Sequence, residues 1–470
     1  MPPAPSPAVG LTRQGLARYA VGDFRVAEQA FRTVAEVAPH EPMAWNNLAM
    51  VLVALGELEQ AVPALRASLS LDAAQLEPWM NLAGALLRLG RAGEAEAACG
   101  EALALDPANA DVWQILAMTH VHAEDFPAAV LAFTRGLELA GETAVLRLNL
   151  GAALLKCGRF ADAAASLGRA IDLDPQLPVA LEVKRMCDFI LAAIAGDLTA
   201  ARAAYPPEAF AEPSSAERLY RTALLYLDWA DQRQAAILVA EAWAAAAPDS
   251  VEAVHMRDAA LSRAVDRQPA TLVAQAFDDI ADDFDDRLVR RLGYQGPEQL
   301  AALMAPRIAA EGALDVLDLG CGTGLCAAFL RPYARRLAGV DLSPGMLAKA
   351  AARGLYDDLQ TADLLGVLTD GPSRWDLLIA ADTFPYLGDL APVFDGAALA
   401  LRPNGWFVFS TEAADGDAFV LKGNGRFAHG RAYVERLAAG RFEIAAHACA
   451  TLRREAASPV DGDFYLLRRL

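Results

Sequence analysis

Features that mark exported, membrane-spanning or nucleic-acid-tracking proteins are scarce in this sequence. Its six cysteines (Cys99, Cys157, Cys187, Cys321, Cys326 and Cys449) form no CxxC pair, so their spacing suggests neither a disulfide framework nor a zinc site. No apolar run approaches the roughly 18 residues of a membrane span, and the opening MPPAPSPAVG has no basic stretch leading into an apolar one, so insertion and export are not expected. The cytoplasm is the expected compartment. Basic residues number 41 against 60 acidic, a net charge of −19, which leaves no electrostatic footprint for following a phosphate backbone. Nucleic acid is therefore not an expected partner. What the chain does have is apolar content, 55% against 21% charged, ample for large cores. At 470 residues it exceeds one typical domain of roughly 100 to 200 residues.

Five rows of 34 residues, from Ala8 to Leu177, align without insertion or deletion. One column reads Gly15, Ala49, Ala83, Ala117, Gly151; another Ala27, Ala61, Ala95, Ala129, Ala163; a third Gly22, Gly56, Gly90, Glu124, Gly158. Trp45, Trp79 and Trp113 also fall in register, as do Pro39, Pro107 and Pro175. The pattern predicts helical hairpins: small residues where two helices approach, a glycine where the first stops, and a proline where the second cannot continue. In period and small-residue pattern the rows resemble tetratricopeptide repeats. Beyond Leu177 the register slips, and residues 196–209 and 216–250 read as degenerate helical pairs. Such a stack offers an extended concave groove for a protein or peptide segment, with homo-oligomerisation as its alternative use. His120 and His122 lack a spaced ligand partner and are read as structural.

The second half changes period. Apolar runs alternate with helical segments: LDVLDLGC, RLAGVDL, LQTADLL, WDLLIAADTF and GWFVFSTEA, which predicts parallel strands with crossover helices. FEIAAHACATLRREA and DGDFYLLRRL predict an antiparallel hairpin at the sheet edge. The turn after the first strand, VLDLGCGTGLC, would let backbone amides approach a ligand closely. Its third glycine, Gly324, stands one residue too early for the dinucleotide pattern. Asp318 suits an ammonium group. Asp341, closing the second strand, suits ribose hydroxyls, although it could also cap the following helix. Met346 could lie against a purine face or be ordinary core, and Asp363 could accept from an adenine amino group or cap a helix. Ammonium, ribose and adenine together describe S-adenosylmethionine.

Residues 314–413, with DLGCGTG, GVDLSPGML and the AD pair of TADLL, resemble class I S-adenosylmethionine-dependent methyltransferases. The chain as a whole resembles bacterial members of that family that carry tetratricopeptide repeats. The resemblance implies a seven-stranded sheet with one antiparallel strand. It assigns the cofactor, released as S-adenosylhomocysteine, to Asp318, Gly320, Cys321, Gly322, Gly324, Asp341, Leu342, Met346, Asp363, Leu364 and Ala380. The segment QAFDDIADDFDDRLVRRLGYQGPEQL reads either as a lid, with Tyr294 reaching the methionine end, or as a solvated helix joining domains. On the acceptor side, ADTFPYLGDL offers Asp382 and Tyr386, but lacks the first proline of the element found in amino-directed DNA methyltransferases. His429, expected in a loop, is the general-base candidate. His447, expected in a strand, reads as structural, and Cys321 as a small apolar filler.

The expected architecture is thus a disordered start (1–7), five repeats forming an all-α solenoid (8–177), degenerate repeats and linker (178–267), and an α/β Rossmann-like methyltransferase domain (268–470). The expected activity is methyl transfer to an acceptor presented by a protein partner. Alternatives are a small-molecule methyltransferase with oligomerising repeats, and a repeat scaffold with an inactive catalytic domain. No metal is expected.

Overall fold

A computed structural model describes residues 7–263, 265–455 and 458–470, and residues 1–6 of the expected disordered start lie outside them. The chain divides into two compact units, Met1–Asp188 and Phe189–Leu470.

The first unit realises the 34-residue period as helical pairs. Pro7–Ala20 pairs with Phe24–Val37, Pro42–Ala54 with Leu58–Leu71, and Leu76–Arg88 with Ala92–Leu105; Ala110–His122 with Phe126–Ala140 and Ala144–Lys156 with Phe160–Leu173 complete the series. Each repeated column has one physical cause. Ala27, Ala61, Ala95, Ala129 and Ala163 are all 0% exposed, so a larger side chain would overpack the seam at a cost of about 1 to 3 kcal/mol. Side chains at Gly15 or Gly151 would run into Phe31 or Leu167 at 2.7 and 2.6 Å. The indole N–H groups of Trp45, Trp79 and Trp113 donate to the carbonyls of Pro39, Ala73 and Pro107 at 2.8, 2.9 and 2.9 Å, tying each helix to the turn before it. The stop column is left-handed at Gly22, Gly56, Gly90 and Gly158, and Glu124 takes the same conformation with φ 58°.

The second unit begins within the helix Pro178–Ile194, the helix that opens the segment expected to hold degenerate repeats and linker. Helices Pro213–Trp229, Arg233–Ala246 and Val251–Ala260 belong to this second unit. They have a core of their own and pack on the strands that follow. Tyr220 stacks on Trp243 at 6.0 Å. His255 Nε2 bonds the carbonyl oxygen of Gly425 at 2.9 Å, and Ala259 packs with Leu421 and Phe427.

Nine strands follow: β1 Leu314–Leu319, β2 Ala334–Asp341, β3 Asp358–Thr361, β4 Trp375–Ala380, β5 Leu401–Ala414, β6 Phe419–Leu421, β7 Phe427–Gly430, β8 Phe442–Glu455 and β9 Ser458–Arg469. Strands β3, β2, β1, β4 and β5 are parallel neighbours in that order, and β9 lies antiparallel beside β5 with β8 outside it. This is a seven-stranded sheet with one strand reversed relative to its parallel neighbours, as expected for a Rossmann-like fold. A short β6–β7 hairpin joins the carboxyl end of β5. The strands are apolar on both faces because two cores flank the sheet, one around Phe384, Phe394, Phe407 and Phe409 and one around Leu300, Met304, Leu330 and Phe464. Strand order reverses between β1 and β4, which opens the ligand crevice at their carboxyl ends.

Candidate active site

The glycine turn leaves β1 at this switch point. Gly320, Gly322 and Gly324 have φ of 68°, 54° and 84°, a left-handed run that residues with a Cβ avoid. A side chain at Gly320 would meet Thr383 at 2.6 Å, whereas at Gly322 nothing lies within 4 Å. The turn is therefore pressed against the β4 end at one glycine and open at the next.

Asp341 holds the turn from the β2 end. Its carboxylate accepts from the Gly322 and Ser343 amides, each at 2.9 Å, and burial raises its pKa. Ser343 caps the next helix through Met346 N at 3.0 Å, which leaves Met346 at 1% exposure. Leu342 and Leu364 are half-buried, and Ala380 is fully buried within β4.

Asp318 is buried and accepts from the Tyr356 hydroxyl at 2.7 Å. Desolvation pushes its pKa up to about 7. Tyr356 engages one of the two Asp318 oxygens. Cys321 is buried against Gly339, and burial raises its thiol pKa, as suits a filler.

Asp363 takes the capping role, one of the two expected for it. One oxygen caps the helix Leu364–Thr369 through Leu365 N at 2.9 Å, and the other pairs with Arg267 at 2.6 Å. Each oxygen keeps a further lone pair for a ligand donor.

Arg267 opens a strap that runs into the segment read from the sequence either as a lid or as a joining helix. It bridges Leu387 in antiparallel sense, while the Gly388 and Asp389 amides donate to the Asp266 carbonyl at 2.8 and 2.9 Å. Further along, Asp278 accepts from Ser343 Oγ at 2.5 Å and Gly345 N at 2.8 Å. Asp282 pairs with Lys349 at 2.6 Å. Asp285 accepts from Thr323 Oγ1 in the glycine turn at 2.5 Å and pairs with Arg353. Phe277 meets Phe284 and Tyr386 edge-on at 5.8 and 5.3 Å. Residues 265–286 thus cross the carboxyl ends of the strands from β4 to the glycine turn.

On the acceptor side, Asp382 adopts φ 53° after β4 and forms a two-pronged ion pair with Arg453 at 3.0 and 3.1 Å. Arg453 is 1% exposed and also pairs with buried Glu412, which takes Lys422 and Arg426 at 3.1 and 3.2 Å. These cations hold Glu412 down to a pKa of about 2 against its burial. Tyr294 is buried, and its pKa is raised first by burial and then by Asp382. A side chain at Gly296 would collide with its ring. Burial likewise raises Tyr386.

His429 lies in strand β7, not in a loop, and is 0% exposed. Its Nε2 contacts the carbonyls of Leu387 and Gly388 at 2.9 and 3.1 Å, and burial lowers its pKa to about 4. The ring clamps the backbone beneath the acceptor side, which corrects its expected place facing the substrate.

Comparison with known proteins agrees with this geometry. Residues 317–407 match the family described as "Methyltransferase domain". Residues 12–78, 52–119 and 116–178 match families described as "Tetratricopeptide repeat". The chain is 29% identical over 154 residues to the "Biotin biosynthesis bifunctional protein BioHC" of Saccharophagus degradans, covering 32% of this chain and 26% of that protein. It is 32% identical over 100 residues to the "Malonyl-[acyl-carrier protein] O-methyltransferase" of Acetivibrio thermocellus (21% of this chain, 35% of that one). It is 28% identical over 110 residues to the "Ubiquinone biosynthesis O-methyltransferase" of Bordetella bronchiseptica (23% and 46%). The matched region thus spans between about a quarter and a half of each relative. Among solved structures, "YrrB: a TPR protein with an unusual peptide-binding site" is 20% identical with a TM-score of 0.34, covering 43% of this chain and 97% of that one.

Proposed function

We propose, since this chain joins tetratricopeptide repeats to a class I methyltransferase domain, that it transfers a methyl group from S-adenosylmethionine to an acceptor presented by a protein partner on the repeats. The observation that carries this reading is the open, left-handed glycine turn at the switch point, clamped to the β2 end by Asp341. The turn and Asp341 fit a ribose-bearing ligand, with Leu342, Met346 and Ala380 shaping the apolar wall. Asp318, which gives one oxygen to Tyr356, would offer the other to the ammonium of the methionine end.

The donor supplies a methyl group already activated on a sulfonium. What remains for the chain is to hold an acceptor in line, exclude water and manage a proton. Tyr294 and Tyr386 keep their protons at neutral pH, as tyrosines with a pKa near 10 do, and burial pushes both further up, so each hydroxyl can donate a hydrogen bond. Asp382, fixed by Arg453, is the carboxylate that accepts from the acceptor's hydroxyl or amine. The strap closes the crevice over them.

A second reading, a small-molecule O-methyltransferase whose repeats join copies of the chain, draws support from relatives named as O-methyltransferases. Incubating the full chain with cell lysate and methyl-labelled S-adenosylmethionine separates the two. Label in protein supports the first reading and label in small metabolites the second. No label in either pool, with donor binding intact, sinks both.

A further inference from the structure

We propose that His447, Cys449 and Asp463 form a binding site for a borderline-soft divalent metal such as zinc, on one face of the β8–β9 hairpin. Cys449 pairs directly across the ladder with Asp463. His447 precedes Cys449 by two residues and so emerges on the same face of β8. Three different donor types converge there. His447 Nε2 lies 2.7 Å from Asp463 Oδ1, Cys449 Sγ lies 3.0 Å from the same oxygen, and sulfur and nitrogen are 3.8 Å apart. All three donor atoms lie within 4.8 Å of one another.

Tetrahedral zinc, with bonds of about 2.0 to 2.3 Å, keeps its ligand atoms roughly 3.3 to 3.7 Å apart. The sulfur–nitrogen distance of 3.8 Å is already close to that spacing, and the Asp463 oxygen lies inside it. A thiolate–imidazole–carboxylate set favours zinc or cobalt over magnesium or calcium, which prefer oxygen alone. Asp463 is 5% exposed and Cys449 is exposed, so the buried carboxylate anchors the site from below while the thiol edge opens to solvent. Three protein ligands with one open position is the pattern of zinc sites that also take water or an outside ligand. His447 packs on the Tyr465 ring at 4.9 Å, which fixes the imidazole plane. Arg431 and Asp461 lie near the thiol with opposing charges.

Loading the site is balanced simply. Cys449 loses its thiol proton to solvent, His447 carries its remaining proton on Nδ1, and Asp463 binds as the carboxylate, so one proton is released per metal. The site escaped sequence reasoning because no CxxC or His–His spacing announces it; one ligand comes from the partner strand.

Cobalt(II) titration of the chelator-treated full chain tests the proposal. One cobalt per chain should bind with a thiolate-to-cobalt absorption band, and zinc should displace it. Cys449→Ser should abolish the band, and His447→Gln should weaken binding at least tenfold. If Cys449→Ser lowers the metal-free melting temperature, His447→Gln carries the test with the same readout. No thiolate band in the unaltered chain, or one undiminished in both variants, overturns the proposal.

Discussion

Asp341 and Asp318 are both acids at strand ends beside the glycine turn, yet their surroundings set them apart. Asp341 takes amides from the turn it supports, so Asp341→Asn should weaken S-adenosylmethionine binding at least tenfold, about 1.4 kcal/mol, as read by calorimetry. Asp318 is raised to about 7 by burial, above the roughly 3.9 of an unfolded aspartate. Between those values the folded state holds more protons than the unfolded one, so Asp318 makes stability fall as pH rises from about 4 to 7. Asp318→Asn should remove that contribution, visible as a melting temperature that declines less over this range than in the unaltered chain. Glu124 occupies a left-handed stop that glycine fills in four other rows. Glu124→Gly should therefore raise stability by about 1 kcal/mol, measured by denaturant unfolding. That oddity was legible as the one non-glycine in its column. The cap at Asp363 was one of two readings, but the partners of Asp363 and Asp318 were not legible, because Arg267 and Tyr356 lie 96 and 38 residues away in sequence.

Elements show the same division. The repeat helices follow directly from small-residue columns, since each column has one local job. The parallel strands follow from apolar runs buried on both faces. The aspartate-rich strap was ambiguous in sequence because helical spacing does not say what an acidic face meets. In the structure, Asp278, Asp282 and Asp285 reach Ser343, Lys349, Thr323 and Arg353. Replacing Asp278 and Asp285 together with alanine should loosen residues 270–286, seen as faster hydrogen exchange there. The same variant should weaken donor binding several-fold, because the strap helps close the crevice. Strand β7 was read as a loop because four residues, FAHG, are too short to show a period, and His429 moved with it.

At the scale of the molecule, the second unit includes helices that looked like continuing repeats. They pack on the β6–β7 hairpin through His255, Met256 and Ala259. A fragment of residues 189–470 should therefore bind S-adenosylmethionine about as tightly as the full chain, while 268–470 should melt lower by exposing Leu421 and Phe427. The helical hairpins and the parallel sheet with an antiparallel edge hairpin were readable from the chain, but the core that a helix after Leu177 joins was not, since that depends on partners distant in sequence. The central claim is that the crevice above β1, β2 and β4 receives a methyl donor. Calorimetry of the full chain with S-adenosylmethionine, and separately with S-adenosylhomocysteine, tests it most directly. The account predicts saturable one-to-one binding of both, sharply weakened in Asp341→Asn at a temperature where that variant is folded; a folded chain that takes up neither would contradict it.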